Sequence, residues 1–260
     1  MFPLRDHNPS TRTPIVTWAL IVLNVVVFVS YVDLFGNPAR LGPFFDTWGM
    51  VPARVSQDAA DLTFLTSMFL HGGFFHLAGN MLFLWIFGDN LEDEFGHFWF
   101  LVFYLASGLG AGLVHYVSDP LSTIPTVGAS GAIAGVLGGY LLLFPKARVD
   151  ILFILIIFIR IIPVPAWIML GLWFALQLTN GVVADNAGGG VAYWAHTGGF
   201  VIGFLFTIPA WLRRGGVTFW RTTHGHPPHA EARYRRVRTG VPMAGRRTQR
   251  QTSKARGPWG

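Results

Sequence analysis

A serine and a histidine, each at the start of a strongly apolar stretch, are the residues of this sequence best suited to chemistry. Ser130 stands in the segment 128–131, Gly-Ala-Ser-Gly, and His196 in the segment 195–199, Ala-His-Thr-Gly-Gly. A serine hydroxyl becomes a nucleophile when a base removes its proton, and imidazole titrates near neutral pH. Because polar groups at membrane depth are costly, the pair indicates hydrolysis inside a bilayer. A helix-capping serine and a packing histidine are the alternative.

His76 and Asn80 are a second polar pair, and their spacing of four places them on one face of a helix. Both side chains can donate hydrogen bonds to a developing oxyanion, as can the free backbone N–H of a residue at a helix start, such as Ser130. A polar contact between helices and a metal site formed by His71, His76 and His196 are the alternatives. No His-Glu-x-x-His pattern and no adjacent carboxylate accompany these histidines, so we expect no metal.

Small residues follow both members of the serine–histidine pair. Gly131 begins a glycine-rich run after Ser130, and Gly199 and Gly203 are four apart after His196. Such faces let helix backbones approach closely in lipid, and close approach is what a Ser–His hydrogen bond requires. Helix packing without catalysis would use the same glycines equally well.

The composition predicts an integral membrane protein. Of the 260 residues 52% are hydrophobic and 12% charged, and the mean hydropathy is +0.46. Cysteine is absent, which excludes disulfides, thiolate metal sites and cysteine catalysis. No cofactor is implied. The net charge of +6 arises in the last part of the chain, where residues from Arg213 onward hold 12 of the 19 basic residues.

The apolar stretches predict an all-α polytopic fold with six transmembrane helices. They cover about residues 15–32, 74–90, 97–117, 130–145, 165–180 and 193–212. A large first outer loop, 33–62, includes Asp58 and Asp61, and a later outer loop includes Asp185. Residues 151–162 precede Pro163 and are too few for a crossing of their own, so we expect an interfacial or re-entrant segment there.

Charge asymmetry divides the chain into three parts. Residues 1–13 are expected to be a cytoplasmic N-terminal segment, 14–212 the membrane domain, and 213–260 a basic, disordered cytoplasmic tail. Both termini would then be inside, and the site would open to the outer side. The tail could contact anionic lipids, although a solvated tail is the simpler interpretation, and nucleic acid is not expected. Low Lys content, high Arg content and the lack of a transit peptide favour a bacterial plasma membrane.

Three segments together resemble the signatures of the rhomboid family of intramembrane serine proteases. They are 71–80, His-Gly-Gly-Phe-Phe-His-Leu-Ala-Gly-Asn; 128–131, Gly-Ala-Ser-Gly; and 195–203, which begins Ala-His and carries two glycines four apart. Their order within six apolar stretches is also similar, and the resemblance, which we take to be of bacterial type, covers about residues 10–212.

The resemblance implies a six-helix rhomboid bundle and a role for each residue of the site. It implies a catalytic dyad of Ser130 and His196, and an oxyanion hole of the Ser130 N–H, His76 and Asn80 that Gly128 helps to shape. The supporting residues would be His71, Gly131, Gly199 and Gly203. Glu92 resembles a structural glutamate of the family, with a solvated acid as the alternative.

Two positions depart from the family pattern. Residues 61–65, Asp-Leu-Thr-Phe-Leu, stand where many relatives have a Trp-Arg pair. Ala134 stands four residues after the serine, where some relatives have an aromatic side chain that packs on the catalytic histidine. Another group must therefore orient His196.

The sequence predicts an intramembrane serine endopeptidase that cleaves membrane-anchored proteins in or near their transmembrane segments. A helical peptide bond hides its carbonyl, so a substrate needs a helix-unstable segment. Span four, Ser130 to Phe144, is about 22 Å long, which places Ser130 below the outer surface and requires a water-filled cavity. We expect this cavity to have a polar lining of His71, His76, Asn80 and His196. The alternative function is a non-catalytic rhomboid-like protein that binds transmembrane helices.

Overall fold

The computed structural model describes residues 2–57, 62–155, 158–184, 192–232 and 234. The predicted outer-loop acids Asp58, Asp61 and Asp185, and the tail from residue 235 onward, lie outside the described residues. The helices are α1 (Ile15–Tyr31), α2 (Pro38–Trp48), α3 (Pro52–Val55), α4 (Thr63–Thr66), α5 (Phe74–Phe95), α6 (His97–Ser118), α7 (Ser130–Leu143), α8 (Ala166–Ala184), α9 (Tyr193–Arg213) and α10 (Val217–Thr223). The strands are β1 (Phe2–Asp6), β2 (Arg148–Leu155) and β3 (Phe158–Pro165), and short 3-10 turns cover Val32–Gly36 and Ser67–Phe69.

Four of the described helical segments are long and apolar enough to cross a membrane: Ile15–Gly36, α6, Ala166–Val183 and α9. Thr63–Phe69 and α5 meet the same criterion only as a pair, with a bend of 92° between them. Helix α7 has 14 residues, or about 21 Å of helix, which is short for a crossing. The protein is therefore a polytopic membrane protein with four or five candidate spans in its described part. The six predicted crossings stay a prediction.

Helix α7 lies at the centre of the bundle. Nearly all its residues are buried, and it packs against α5, α6, α8 and α9. Its glycines allow this, because a Cβ at Gly135 would lie 2.5 Å from Ser107 of α6 and 3.3 Å from the carbonyl oxygen of Gly199 of α9. A short helix surrounded by other helices places its first residue, Ser130, inside the protein.

The described first part of the loop, residues 33–57, packs on the bundle through aromatic rings. Tyr31 at the end of α1 contacts Phe44 of α2, with ring centroids 4.8 Å apart, and Phe45 at 6.1 Å. The Tyr31 hydroxyl also donates to the His71 carbonyl oxygen at 3.0 Å and accepts from the His71 N–H at 2.7 Å. Aromatic packing thus attaches this loop without the Trp-Arg pair common in the family.

The fold is mostly helical, as predicted, but it is not purely α, because strands occupy the region 151–162 where we expected an interfacial or re-entrant segment. The described residues of this region form β2 and β3, which pair with each other, and β1 pairs with β2, so that the antiparallel sheet has the order β1-β2-β3. The residues are rich in isoleucine and phenylalanine, which favour strands, and the prolines 163 and 165 fall in β3 at the sheet edge, where a missing N–H costs least. The N-terminal segment supplies the third strand.

The predicted disordered tail, 213–260, is also wrong for its first part. Helix α10 follows α9, and its Phe219 is buried. The Trp220 indole N–H donates to the Leu142 carbonyl oxygen at 2.9 Å, and the Trp220 ring lies 4.9 Å from that of Trp211. Apolar residues within the basic composition fold this part of the tail onto the bundle. Farther along, the Ala232 N–H donates to the His7 carbonyl oxygen at 3.0 Å. The first part of the tail and the N-terminal segment therefore lie on the same face of the helix bundle.

Glu92 anchors the start of α1. Its carboxylate is fully buried and accepts hydrogen bonds from the N–H groups of Val16 and Thr17, both at 2.8 Å, and from the Thr17 hydroxyl at 2.7 Å. His97 contacts the same carboxylate at 2.5 Å. The first N–H groups of a helix have no partners within the helix, and a negative charge there is stabilising. This geometry argues against a solvated acid.

The N-terminal strand contains a partly buried acid whose titration should loosen the strand. Burial raises the pKa of Asp6 to about 8. The hydrogen bond that the Tyr140 hydroxyl donates to its carboxylate at 2.7 Å lowers this pKa, and repulsion by Asp89 raises it. Because the folded state holds this proton more tightly than the unfolded chain does, the stability contributed by Asp6 falls as pH rises from about 4 to about 8.

We therefore predict that amide protection of residues 2–6 falls at least about tenfold between pH 5 and pH 8. Hydrogen exchange, corrected for intrinsic rates, measures this change. Asp6→Asn should remove most of the pH dependence, and an equally steep profile in that variant would contradict the prediction.

Candidate active site

Ser130 and His196 lie within hydrogen-bond distance although 66 residues separate them in the chain. The distance between Ser130 Oγ and His196 Nε2 is 2.8 Å. Ser130 is the first residue of α7, and His196 lies in the first turn of α9. The two helix starts meet because α7 and α9 pack along their glycines. In this arrangement, the imidazole can take the serine proton directly.

Glycines set the distance between these two helices. A Cβ at Gly199 would collide with the Gly131 carbonyl oxygen, and one at Gly203 would collide with Gly135. A Cβ at Gly131 would lie 2.7 Å from Ala111 of α6. Larger residues would separate the backbones and with them the Ser–His pair.

Gln177, which the sequence analysis missed, is the side chain in contact with the second ring nitrogen of His196. Its Oε1 lies 2.8 Å from His196 Nδ1, and the Trp173 ring lies one turn earlier on α8, with its centroid 5.9 Å from that of His196. The signal available in the sequence was Gln177 itself, a polar residue four positions after Trp173 in an apolar helix. The sequence does not show which residue of another helix it contacts. Ala134, in contrast, offers only a methyl group.

His76 is oriented as a hydrogen-bond donor. The Gly72 N–H donates to its Nδ1 at 3.2 Å, so the proton of the neutral ring lies on Nε2. A Cβ at Gly128 would lie 2.9 Å from this Nε2 and 3.5 Å from Ser130 Oγ, so the donor stands beside the nucleophile. Asn80, one turn later on α5, donates one amide hydrogen to the His76 carbonyl oxygen at 3.0 Å. Its amide has a second hydrogen for another acceptor.

A cavity of about 930 Å³ contains the site. Its polar lining includes His76, Asn80, Ser130 and His196, and its apolar wall includes Phe83, Ile133, Ala134, Leu137 and Trp173. The elements around it are α5, α6, α7, α8, the start of α9 and residues 118–127. Such a space can hold an extended peptide segment and the water that hydrolysis requires.

His71 does not line this cavity, contrary to the expectation from sequence. Its side chain is fully buried, and its ring packs edge-on against His76 with the centroids 5.1 Å apart. Tyr31 holds its backbone and thereby directs the ring inward. His71 therefore supports His76 by packing. Across the described residues, no group of three or more His, Asp or Glu side chains is arranged to hold a metal ion.

The family model described as Rhomboid domain matches residues 60–213, more than half of the chain. The chain belongs to the rhomboid family. The match includes all three motif segments and the helices α5 to α9 that form the site.

Three rhomboid relatives show the extent of the similarity. Rhomboid protein 1, mitochondrial, of Saccharomyces cerevisiae is 35% identical over 78% of this chain and 57% of its own length. Rhomboid protease GluP of Bacillus subtilis is 35% identical over 58% of this chain and 26% of its own. RHOMBOID-like protein 5 of Arabidopsis thaliana is 31% identical over 54% of this chain and 55% of its own length. The aligned part therefore spans about a quarter to somewhat over half of these relatives.

We predict that Gly128→Ala lowers any proteolytic rate of this rhomboid chain at least about 100-fold. The backbone φ of +131° disfavours a side chain, and the added Cβ would press on His76 and displace the hydrogen-bond donor next to Ser130 Oγ. Initial rates on a transmembrane substrate measure the effect. Gly79→Ala is the matched control, because Gly79 lines the same cavity but a Cβ there meets nothing within 4 Å. Equal rates for the two variants would contradict the prediction.

Proposed function

We propose that this chain is an intramembrane serine endopeptidase in which Ser130 is the nucleophile and His196 the general base. The observation that carries the proposal is the 2.8 Å contact between Ser130 Oγ and His196 Nε2 inside a cavity. Membership of the rhomboid family, which includes a relative named a protease, supports the same reaction class.

The reaction follows from this geometry. Ser130 Oγ attacks the peptide carbonyl carbon while its proton passes to His196 Nε2. The resulting oxyanion accepts hydrogen bonds from the Ser130 N–H at the start of α7, from His76 Nε2–H and from Asn80. The C–N bond then breaks, and His196 returns the proton to the leaving amine. Water, deprotonated by His196, hydrolyses the acyl-enzyme and restores the serine.

The substrates would be proteins with a transmembrane segment that unwinds readily. The cavity opens among helices within the membrane domain, and an extended strand must enter it to expose a carbonyl. We further propose a bacterial plasma membrane, both termini in the cytoplasm and a cavity open to the outer side. Contact of the basic tail with anionic lipids of the inner leaflet is one proposal for its role, and a solvated tail is the alternative.

The rival function is a rhomboid-like protein that binds transmembrane helices without cleaving them. That function needs the bundle and its lateral surfaces but not a proton acceptor beside Ser130. The oriented His196 and the donor on His76 favour catalysis, because a helix-binding protein has no use for them.

A fluorophosphonate probe and a model transmembrane substrate test the proposal on the purified chain in detergent. We expect labelling and cleavage by the wild type and neither by Ser130→Ala. Ser118→Ala is the matched control, because Ser118 also lines the cavity but its hydroxyl donates to the His115 carbonyl oxygen. Substrate cleavage that persists in Ser130→Ala, or a folded wild type that neither labels nor cleaves, would refute the proposal.

A further inference from the structure

Helix α8 supplies two contacts to the imidazole of His196, and both come from one face. Gln177 Oε1 lies 2.8 Å from Nδ1, and the Trp173 ring, four residues earlier, is tilted by 33° from the imidazole plane. Because Ser130 Oγ contacts Nε2, the hydrogen bonds of Gln177 and Ser130 together occupy both ring nitrogens. The described residues thus give His196 one side-chain partner for each nitrogen.

The chemistry of a general base requires a partner of this type on Nδ1. Nε2 can accept the Ser130 proton only while its lone pair is free, so the neutral ring must carry its hydrogen on Nδ1. An acceptor next to Nδ1 selects this tautomer and holds the ring so that Nε2 points at Ser130 Oγ. In soluble serine proteases an aspartate does this. A neutral amide oxygen does it without burying a second charge in an apolar bundle.

We propose that Gln177 is the positioning residue for the general base, and that it makes the orientation of His196 depend on the packing of α8. This inference rests on the proposed proteolytic function. Gln177 touches neither the serine nor the cavity wall, so it acts through His196 alone.

Helix α8 is attached to the bundle mainly on one side. Phe174 stacks on Phe200 of α9 with ring centroids 4.6 Å apart, while Leu172, Leu176 and Leu178 face outward. Only 17% of the α8 span is buried, compared with 39% of the α9 span. A displacement of α8 from α9 would remove Gln177 from Nδ1 and leave the tautomer of His196 unselected.

Steady-state kinetics test the positioning role. Gln177→Leu removes one neutral hydrogen bond to His196. We therefore expect kcat to fall about tenfold and KM to change less than about twofold. Gln177→Glu, which keeps an acceptor oxygen at the same reach, should restore kcat to within about threefold of the wild type. Leu178→Ala, a neighbouring substitution on the outward face, is the control and should match the wild type. A kcat for Gln177→Leu within twofold of this control would overturn the proposal.

The tautomer of His196 provides a readout that does not need activity. In ¹⁵N-histidine-labelled protein, with the His196 signals identified by their loss in His196→Ala, we expect the hydrogen on Nδ1 in the wild type. A mixture of tautomers should be present in Gln177→Leu. Phe174→Ala, which weakens the packing of α8 without touching His196, should shift the signals in the same direction.

The two readouts separate the failures of the two proposals. A wild type that cleaves nothing refutes the proteolytic function, while the tautomer still decides the role of Gln177. An unchanged tautomer in Gln177→Leu overturns the positioning role. An unchanged tautomer in Phe174→Ala overturns its dependence on α8.

Discussion

Replacing Ser130 and His196 together by alanine is expected to lower kcat/KM no further than replacing either alone. Each single variant should fall at least about 10³-fold below the wild type, because nucleophile and base act as one unit. The 2.8 Å contact is the physical reason, since a serine without its base keeps its proton, and a base without its serine has nothing to activate. Initial rates on a transmembrane substrate measure all three variants.

The controls for this cycle come from the same cavity. Ser118→Ala should keep wild-type rates, and thermal unfolding in detergent should show that each inactive variant remains folded. A double variant whose loss equals the product of the two single losses would contradict a dyad, because independent contributions multiply.

Substituting Gly199 by alanine is expected to disrupt both the bundle and the site. A Cβ at this position would collide with the Gly131 carbonyl oxygen and lie 3.2 Å from Ala111. Overpacking of this kind costs about 1–3 kcal/mol, and here the displaced backbone directly follows Ser130. We expect a lower midpoint of thermal unfolding and a fall in activity of more than about tenfold.

Gly171→Ala is the matched control for this substitution. Gly171 lies on α8, where a Cβ meets nothing within 4 Å, so the same change in helix propensity occurs there without a collision. The midpoint of thermal unfolding and the rate should both stay at or above the wild-type values. If Gly199→Ala behaved like Gly171→Ala, the close packing of α7 on α9 would not be what holds the dyad together.

One face of the bundle combines elements from three distant parts of the chain. The β1 strand, the β2–β3 hairpin and the described part of the tail lie together, and Arg5 stacks over the Tyr234 ring at 3.7 Å. Asp150 on β2 also accepts hydrogen bonds from Arg5 at 2.8 Å and from His7 at 2.9 Å. Residues 2–7, 217–232 and 234 are therefore parts of the fold of the membrane domain and not independent appendages.

The amino-acid sequence by itself determined the class of the protein and indicated which serine and histidine to look for side by side. Hydropathy is additive along the chain, so the apolar stretches that contain α1, α6, α8 and α9 can be recognised without knowledge of the fold. The spacing of His76 and Asn80, and of Gly199 and Gly203, carries over directly, because neighbours four apart share a helix face. The three motif segments indicated the family that the comparison with known domains then established.

Only the tertiary structure decided the features that depend on partners far apart in the chain. The sheet that contains β2 and β3 is one of them, because its third strand comes from residues 2–6. Helix α10 is another, since its Trp220 packs against the C-terminal ends of α7 and α9, which lie far from it in the chain or become its neighbours only in the fold. Gln177 reads as an ordinary polar residue in an apolar helix until α8 packs on α9. Its role follows from a hydrogen bond across two helices, and no local pattern in a sequence contains that information.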